Sequence, residues 1–204
     1  MTVKVEFHYD FGSPNCYLAH KVIPQIEART GVAFSYFPIL LGGVFKLTNN
    51  ASPVQQFAEI PHKMKYMRLE MRRFIEEHNL SAFRMNPHFP VNTLQIMRGA
   101  IVAEDEGTSK LYVETMLNAM WEQEKKMDDP AVIKEVLDAA GLDGDHFLAR
   151  IQEAPIKEKL LANTAASAER GCFGAPTFFV GDEIYFGKDR LEAVEKEILR
   201  QKNR

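Results

Sequence analysis

Four residues at the start of a predicted helix, Ser13-Pro14-Asn15-Cys16, have the spacing of a thiol-handling site. A thiol–disulfide enzyme places Cys-x-x-Cys at such a helix start, where the helix N-terminus lowers the pKa of a thiol below about 8.5. In this chain a serine stands at the position of the attacking cysteine. A hydroxyl there can donate a hydrogen bond to a bound sulfur but cannot form a disulfide. The sequence therefore predicts a thiol site whose thiol is brought by a cofactor.

Ser13 and Cys16 also have purely structural interpretations, which the sequence leaves open. Serine is a preferred N-cap residue, and Pro14 suits the first position of a helix. The same helix start favours a nearby anion such as a thiolate, so the two roles of Ser13 are compatible. Free cysteines are often buried as small apolar residues, which is the interpretation favoured for Cys16 and Cys172. A disulfide between the two is not expected in a reducing compartment.

The N-terminal elements around this site are predicted from the periodicity of apolar residues. Residues 3–11 alternate apolar and polar side chains and form a strand, residues 14–29 form a helix, and residues 32–40 form a second strand. This order is a βαβ unit, which makes the two strands parallel neighbours. A Leu41-Gly42-Gly43 turn and a polar loop through Pro53 are expected to follow.

The middle of the chain carries helical patterns and no strand signal. The predicted helices cover residues 60–78, 91–106, 109–124, 130–139, 143–152 and 155–170. Strand signals return at residues 177–180 and 183–186, which are joined by a Gly181-Asp182 turn and predict a β-hairpin. A charged amphipathic helix over residues 190–200 follows the hairpin.

This order of elements predicts an α/β protein with a thioredoxin-like fold, in which an all-helical domain is inserted between the βαβ and ββα halves. Residues 1–45 and 170–204 are assigned to the thioredoxin-like domain, and residues 46–169 to the helical insertion with its linking loops. In such a fold Pro176 would be a cis proline that faces the first helix start. It would expose the backbone of Ala175 to a peptide-like ligand, although a proline that merely begins a strand is the structural alternative.

Composition excludes several classes of function. The net charge of −3 lacks the excess of basic residues that is typical of proteins that bind nucleic acid. No apolar run approaches the ~18 residues needed to span a bilayer, and no signal-peptide pattern is visible, so a reduced cytoplasmic protein is expected. The six histidines and two cysteines lack the spacing of metal ligands. We therefore expect no nucleic-acid partner, no membrane partner and no metal.

Several polar or aromatic side chains are further candidates for binding. Lys46, Asn50 and Lys63 lie around the polar loop and the next helix start, where they can recognise a carboxylate or simply form a solvated face. Phe89 lies in a proline-bounded segment that can line an aromatic pocket. Asp189 either caps the last helix or faces the ammonium group of a ligand, and together with Lys188 it would suit a zwitterionic peptide.

Four segments carry a resemblance to a known family. They are Phe-x-Ser-Pro-x-x-Tyr at 11–17, Leu-Gly-Gly-Val-Phe-Lys at 41–46, His-Phe-Pro-Val-Asn-Thr at 88–93, and Gly-Ala-Pro-Thr-Phe-Phe-Val at 174–180 with Phe-Gly-Lys-Asp-Arg-Leu at 186–191. Together, in order along the whole chain, they resemble the 2-hydroxychromene-2-carboxylate isomerases. These enzymes group with the kappa-class glutathione transferases in the DsbA branch of the thioredoxin superfamily. The resemblance implies a homodimeric enzyme of aromatic catabolism that uses glutathione as cofactor.

The resemblance also implies roles for individual residues. The cofactor-binding positions are Ser13, Asn50, Lys63, Ala175, Pro176, Phe186, Gly187, Lys188 and Asp189. Among them Ser13 would bind the glutathione sulfur, the Ala175 backbone would pair with the cysteinyl part, and segment 186–189 would hold the γ-glutamyl end. Lys46 would contact the substrate. Phe89 stands where the isomerase has a tyrosine, which removes a hydroxyl from the substrate pocket.

The implied reaction is nucleophilic catalysis with a borrowed nucleophile. Glutathione thiolate would add to 2-hydroxychromene-2-carboxylate, the ring would open, a bond would rotate, and expulsion of the thiolate would give trans-o-hydroxybenzylidenepyruvate. Three alternatives stay open: a kappa-type glutathione transferase or peroxidase, a DsbA-like thiol–disulfide oxidoreductase, and a non-catalytic binding protein. The oxidoreductase is disfavoured because Ser13 replaces the attacking cysteine.

Overall fold

The computed structural model describes residues 3–203 and contains a four-stranded mixed sheet. Residues 1, 2 and 204, which the predicted domains include, lie outside the described residues. The strands are β1 (Val5–Tyr9), β2 (Phe34–Pro38), β3 (Thr177–Val180) and β4 (Glu183–Phe186). They lie in the order β2-β1-β3-β4.

The pairing of the strands confirms the predicted thioredoxin-like α/β fold. Strand β1 runs parallel to β2, with Phe7 opposite Tyr36, and antiparallel to β3, with Phe7 opposite Phe178. Strand β4 extends the sheet as an antiparallel hairpin partner of β3. The βαβ and ββα halves are therefore joined side by side through β1 and β3, although about 170 residues separate these two strands along the chain.

Ten α-helices lie within the described part of the chain. They are α1 (Pro14–Thr30), α2 (Leu41–Leu47), α3 (Pro53–Gln56), α4 (Pro61–Glu77), α5 (Leu94–Asp105), α6 (Ser109–Trp121), α7 (Pro130–Ala139), α8 (Gly144–Arg150), α9 (Ala154–Glu169) and α10 (Leu191–Lys202). Helices α4 to α9 correspond to the predicted helical block. Helix α1 ends at Gly31, which adopts a φ of 67° and donates its N–H to the carbonyl of Glu27.

Helix α2 corrects the prediction of a turn at residues 41–43 and a polar loop after it. Val44 N–H donates to Leu40 O at 2.9 Å, so the helix begins at once after β2. Of the two glycines that suggested a turn, Gly43 instead permits close packing, since a Cβ there would lie 3.0 Å from Cγ2 of Thr164 in α9. The Thr164 hydroxyl also accepts a hydrogen bond from Leu40 N–H at 3.0 Å. Contact with α9, which local sequence does not reveal, therefore favours a helix over a turn in this segment.

One continuous hydrophobic core connects the sheet with the helices between its halves. It contains Phe7 and Phe178 of the sheet together with Met97 and Trp121 of the helical block, all 0% exposed. Each large apolar side chain buried in this way contributes about 1.5–3 kcal/mol. The boundary predicted after residue 45 falls inside α2, and the division into two domains stays a prediction. No described helix is both long and apolar enough to cross a bilayer.

Candidate active site at the start of helix α1

Ser13 caps α1 and contacts the loop before β3. It has extended backbone geometry, and its hydroxyl oxygen accepts a hydrogen bond from Cys16 N–H at 3.4 Å. The same hydroxyl donates to the carbonyl oxygen of Ala175 at 3.0 Å. Pro14 occupies the first helical position, so the predicted cap is confirmed. Ser13 therefore connects the positive end of α1 with the peptide that precedes Pro176.

The segment around Pro176 presents an unused backbone amide beside Ser13. The Ala175–Pro176 peptide bond is cis, as predicted. Among residues 3–203, no acceptor takes the N–H of Ala175, which is half-buried. The carbonyl of Pro176 accepts the N–H of Gly187 at 2.9 Å, which fixes the segment after β4 against the proline. An extended peptide laid along Ala175 would find one free donor and one carbonyl shared with Ser13.

Asn50 and two phenylalanines complete this cluster. The Asn50 side-chain amide donates to Phe173 O at 2.7 Å, which ties the loop after α2 to the proline segment. The rings of Phe173 and Phe186 lie 4.5 Å apart and are 43% and 42% exposed. A Cβ on Gly174 would lie only 2.7 Å from the Phe186 ring, so glycine is needed there. The predicted residues Asn50, Ala175 and Phe186 thus lie near one another, whereas the sequence did not indicate Phe173.

Lys188 and Asp189 follow this cluster but differ in environment. The Lys188 side chain is only 3% exposed, and its ammonium donates to both carboxylate oxygens of Glu70, at 2.8 Å and 2.6 Å. Its charge is therefore already neutralised by a residue of α4. The Asp189 side chain is 50% exposed and lies 3.3 Å from the guanidinium of Arg190. Asp189 is thus the carboxylate of this segment that a ligand can reach.

Three further predicted residues make no hydrogen bond or ring contact with Ser13 or Ala175. Lys46 is exposed on α2, and Lys63 is exposed near the start of α4 with its ammonium 3.4 Å from the Phe57 ring centroid. Phe89 is half-buried and packs 6.0 Å from Trp121. The indole N–H of Trp121 donates to the carbonyl of Phe11, two residues before Ser13, at 2.8 Å. Phe89 therefore contacts, through Trp121, the segment that precedes Ser13.

Asp10 is a buried residue beside the site that the sequence motifs do not indicate. Its carboxylate accepts hydrogen bonds from Gly12 N–H at 2.8 Å, Leu41 N–H at 2.7 Å and the Thr93 hydroxyl at 2.8 Å. Burial raises the pKa of Asp10, and these three hydrogen bonds oppose that effect. One side chain thus joins the turn before Ser13, the start of α2 and the start of α5. The strand alternation places Asp10 on the polar face, but two of its three donors, Leu41 and Thr93, come from distant segments.

Both cysteines are buried and free, which confirms their interpretation as packing residues. Burial raises the pKa of the Cys16 thiol to about 12, so this thiol stays protonated at neutral pH. The Cys172 thiol donates to Gly174 O at 3.1 Å. The site therefore offers a hydroxyl, a helix N-terminus and an unused amide, but neither thiol is a ready nucleophile. Such an arrangement can bind and stabilise a thiolate that arrives on another molecule.

Comparisons with known proteins show the family to which the chain belongs. A family model described as the DSBA-like thioredoxin domain matches residues 4–199. The chain is similar to the 2-hydroxychromene-2-carboxylate isomerase of Pseudomonas sp. (strain C18), with 27% identity over 97% of this chain and 91% of the relative. It is similar to glutathione S-transferase kappa 1 of Rattus norvegicus, with 25% identity over 92% of this chain and 87% of the relative.

Solved structures give the same picture. A structure of a 2-hydroxychromene-2-carboxylate isomerase matches with a TM-score of 0.81 and 27% identity, covering 97% of this chain and 95% of that chain. A probable DsbA oxidoreductase from Streptomyces coelicolor matches with a TM-score of 0.79 and 17% identity, covering 97% of this chain and 89% of that chain. The latter likeness concerns the fold alone. The family resemblance inferred from the sequence motifs is thereby confirmed.

Proposed function

Because the chain belongs to the DSBA-like thioredoxin domain family, we propose that it is a glutathione-dependent isomerase that uses a borrowed thiol. Its reaction interconverts 2-hydroxychromene-2-carboxylate and trans-o-hydroxybenzylidenepyruvate in aromatic catabolism. One observation carries the proposal: Ser13 occupies the helix-start position of an attacking cysteine, while Cys16 is fully buried. The isomerase relatives support this choice of reaction.

The Ala175 backbone and the Ser13 hydroxyl would hold glutathione through three hydrogen bonds, in place of the one that joins Ser13 to Ala175. The Ala175 carbonyl would accept the cysteinyl amide N–H of the tripeptide, and the Ala175 N–H would donate to the cysteinyl carbonyl. The Ser13 proton, which Ala175 O accepts in the free protein, would then be donated to the glutathione sulfur. This hydroxyl and the N-terminus of α1 stabilise the thiolate relative to the thiol. Cofactor binding and activation of the nucleophile are thereby coupled through one carbonyl oxygen.

The chemical step needs no net consumption of glutathione. Glutathione held at Ser13 would supply a thiolate nucleophile that can be added to the substrate and released again while the substrate isomerises. Lys46, exposed and without an ion-pair partner among the described residues, pairs with the substrate carboxylate as a point charge.

The remaining assignments concern the rest of the tripeptide and the assembly. Asn50 and Lys63 lie along the glutathione backbone, and the segment from Phe186 to Asp189 holds the γ-glutamyl end. The exposed carboxylate of Asp189 receives its ammonium group. Phe89 contributes to the aromatic side of the substrate pocket. The active form is a cytoplasmic homodimer.

Turnover of 2-hydroxychromene-2-carboxylate, followed by absorbance with and without glutathione, tests this function. The proposal requires activity that depends on glutathione and leaves its concentration unchanged. A kappa-type transferase is the second candidate, because the chain is similar to a kappa transferase and Phe89 replaces the tyrosine of the isomerase pocket. That function would instead consume glutathione with an electrophile such as 1-chloro-2,4-dinitrobenzene or with a hydroperoxide.

A further inference from the structure

An ion pair between a buried lysine and a carboxylate that is 35% exposed joins α4 to the segment after β4. The ammonium of Lys188 is 3% exposed and binds both carboxylate oxygens of Glu70, which lies 118 residues earlier in the chain. The ring of Phe74, one helical turn after Glu70, lies 4.8 Å from the same ammonium. The Lys188 ammonium therefore contacts two residues on one face of α4. Because Lys188 stands between Gly187 and Asp189 in the chain, this contact also holds those two residues near α4.

This contact is important for α4 because the helix has few other anchors. Of its residues, all of which are described, Phe74 is the one that is buried. Glu70 and Phe74 both contact Lys188, while Met71 and Ile75 of the same helix pack against the hydrophobic core. A cavity of about 560 Å³ adjoins the pair and is also lined by Asp189 and by Ile26 of α1. The ion pair thus links α4 to the segment that contains Asp189.

We propose that Glu70 is a positioning residue for the glutathione site. Acting through Lys188, its carboxylate holds the segment that contains Gly187 and Asp189 at a fixed position relative to α4 and Lys63. Both of these parts bind the tripeptide in the function proposed above, on which this inference rests. Glu70 itself touches no part of the ligand.

The burial of Lys188 argues against the simpler role of a direct ligand contact. To reach a glutathione carboxylate, its ammonium would have to leave both oxygens of Glu70 and the face of Phe74. A buried carboxylate or ammonium that loses its partner is strongly disfavoured. The side chain therefore serves the site through its position, and the accessible groups of the segment are the backbone around Gly187 and the carboxylate of Asp189.

A double-mutant cycle measured by calorimetry with reduced glutathione tests the inference. Glu70→Gln and Lys188→Met are each expected to raise the Kd for glutathione about tenfold, and the double variant by no more than either single change. The KM for glutathione should rise by a similar factor while kcat changes by less than about twofold. Glu76→Gln on the same helix, whose partner Arg72 is equally exposed at 68%, is the control and should leave the Kd unchanged.

Three results overturn the inference. An unchanged Kd in Glu70→Gln shows that the ion pair does not position the site. Additive effects show that Lys188 contacts glutathione independently of Glu70. Failure of the wild-type protein to bind glutathione removes the proposed function as well, whereas the first two results leave it standing. Glu70→Asp keeps the charge on a shorter side chain and should give an intermediate Kd. It tests the ion pair even if the Lys188→Met variant does not fold.

Discussion

The hydroxyl of Ser13 donates its single proton to the carbonyl oxygen of Ala175, 3.0 Å away. The two residues lie 162 positions apart, at the start of α1 and in the segment before β3. Because one hydroxyl carries one proton, Ser13 can stabilise a thiolate only when another donor replaces it at Ala175. A peptide N–H of the incoming ligand supplies that donor. The requirement favours a thiol carried on a peptide over a small thiol without an amide.

Ser13→Cys is expected to create thiol–disulfide exchange activity. The substitution places a thiol three residues before Cys16 at a helix N-terminus, which lowers the pKa of the new thiol below about 8.5. Oxidation should then form an intramolecular disulfide, and the variant should catalyse insulin reduction by dithiothreitol while the wild-type protein does not. The control is Ser13→Cys combined with Cys16→Ala, which cannot form the bond. If the Ser13→Cys protein formed no disulfide on oxidation, the placement of Cys16 beside residue 13 would be contradicted.

Asp10→Asn is expected to lower the free energy of unfolding by about 2 kcal/mol. The carboxylate accepts hydrogen bonds from Gly12, Leu41 and Thr93, and an amide group in its place would set a donor against one of these donors. Urea denaturation followed by circular dichroism measures the loss. Asp182→Asn, at an exposed position in the β-hairpin turn, is the matched control and should change stability by less than about 0.5 kcal/mol. Equal stability of the two variants would contradict the role of Asp10.

His8 makes stability depend on pH in a defined window. Burial lowers its pKa from 6.5 to about 4, an effect that Glu6 opposes and that Arg170 and Lys4 reinforce. The unfolded chain therefore takes up a proton below pH 6.5 that the folded chain does not, and stability falls as the pH falls through this window. The loss should reach about 2 kcal/mol between pH 6.5 and about pH 5.

His8→Asn should flatten this profile, because it replaces the imidazole, whose Nδ1 contacts the Ser167 hydroxyl at 2.8 Å, by an amide that does not titrate in this range. Denaturation midpoints at successive pH values, with the exposed His62→Asn as control, provide the measurement. The same pH slope in wild type and His8→Asn would show that another group is responsible.

Gly174→Ala is expected to weaken glutathione binding. The new Cβ would lie 2.7 Å from the Phe186 ring, so this ring or the Ala175 segment must shift. Overpacking of this kind costs about 1–3 kcal/mol of stability. Gly42→Ala in α2 is the control, since nothing lies within 4 Å of its Cβ and the change should stabilise the helix by about 1 kcal/mol. Calorimetry with glutathione compares the two, and equal affinity in Gly174→Ala and wild type would refute the expected displacement.

The parts of the fold with a strong periodic signal were predictable from the sequence. The alternation in β1, the Ser13-Pro14 cap and the proline before β3 each depend on neighbouring residues, so local rules were sufficient. Local sequence does not predict helix α2, because Gly42 and Gly43 favour a turn, whereas the helix packs against Thr164 at Gly43. Glu70 carries no local sign of its pairing with Lys188, since only the folded chain brings them together.

The ionisation of glutathione bound to the protein tests the central claim, that Ser13 stabilises a borrowed thiolate. Titration of the thiolate absorbance in the complex gives the pKa of the bound thiol. In the wild-type protein this pKa should lie below that of free glutathione. In Ser13→Ala it should be higher than in wild type by about one to two, the loss of one hydrogen bond to a charged group. The same pKa in both proteins would contradict the account.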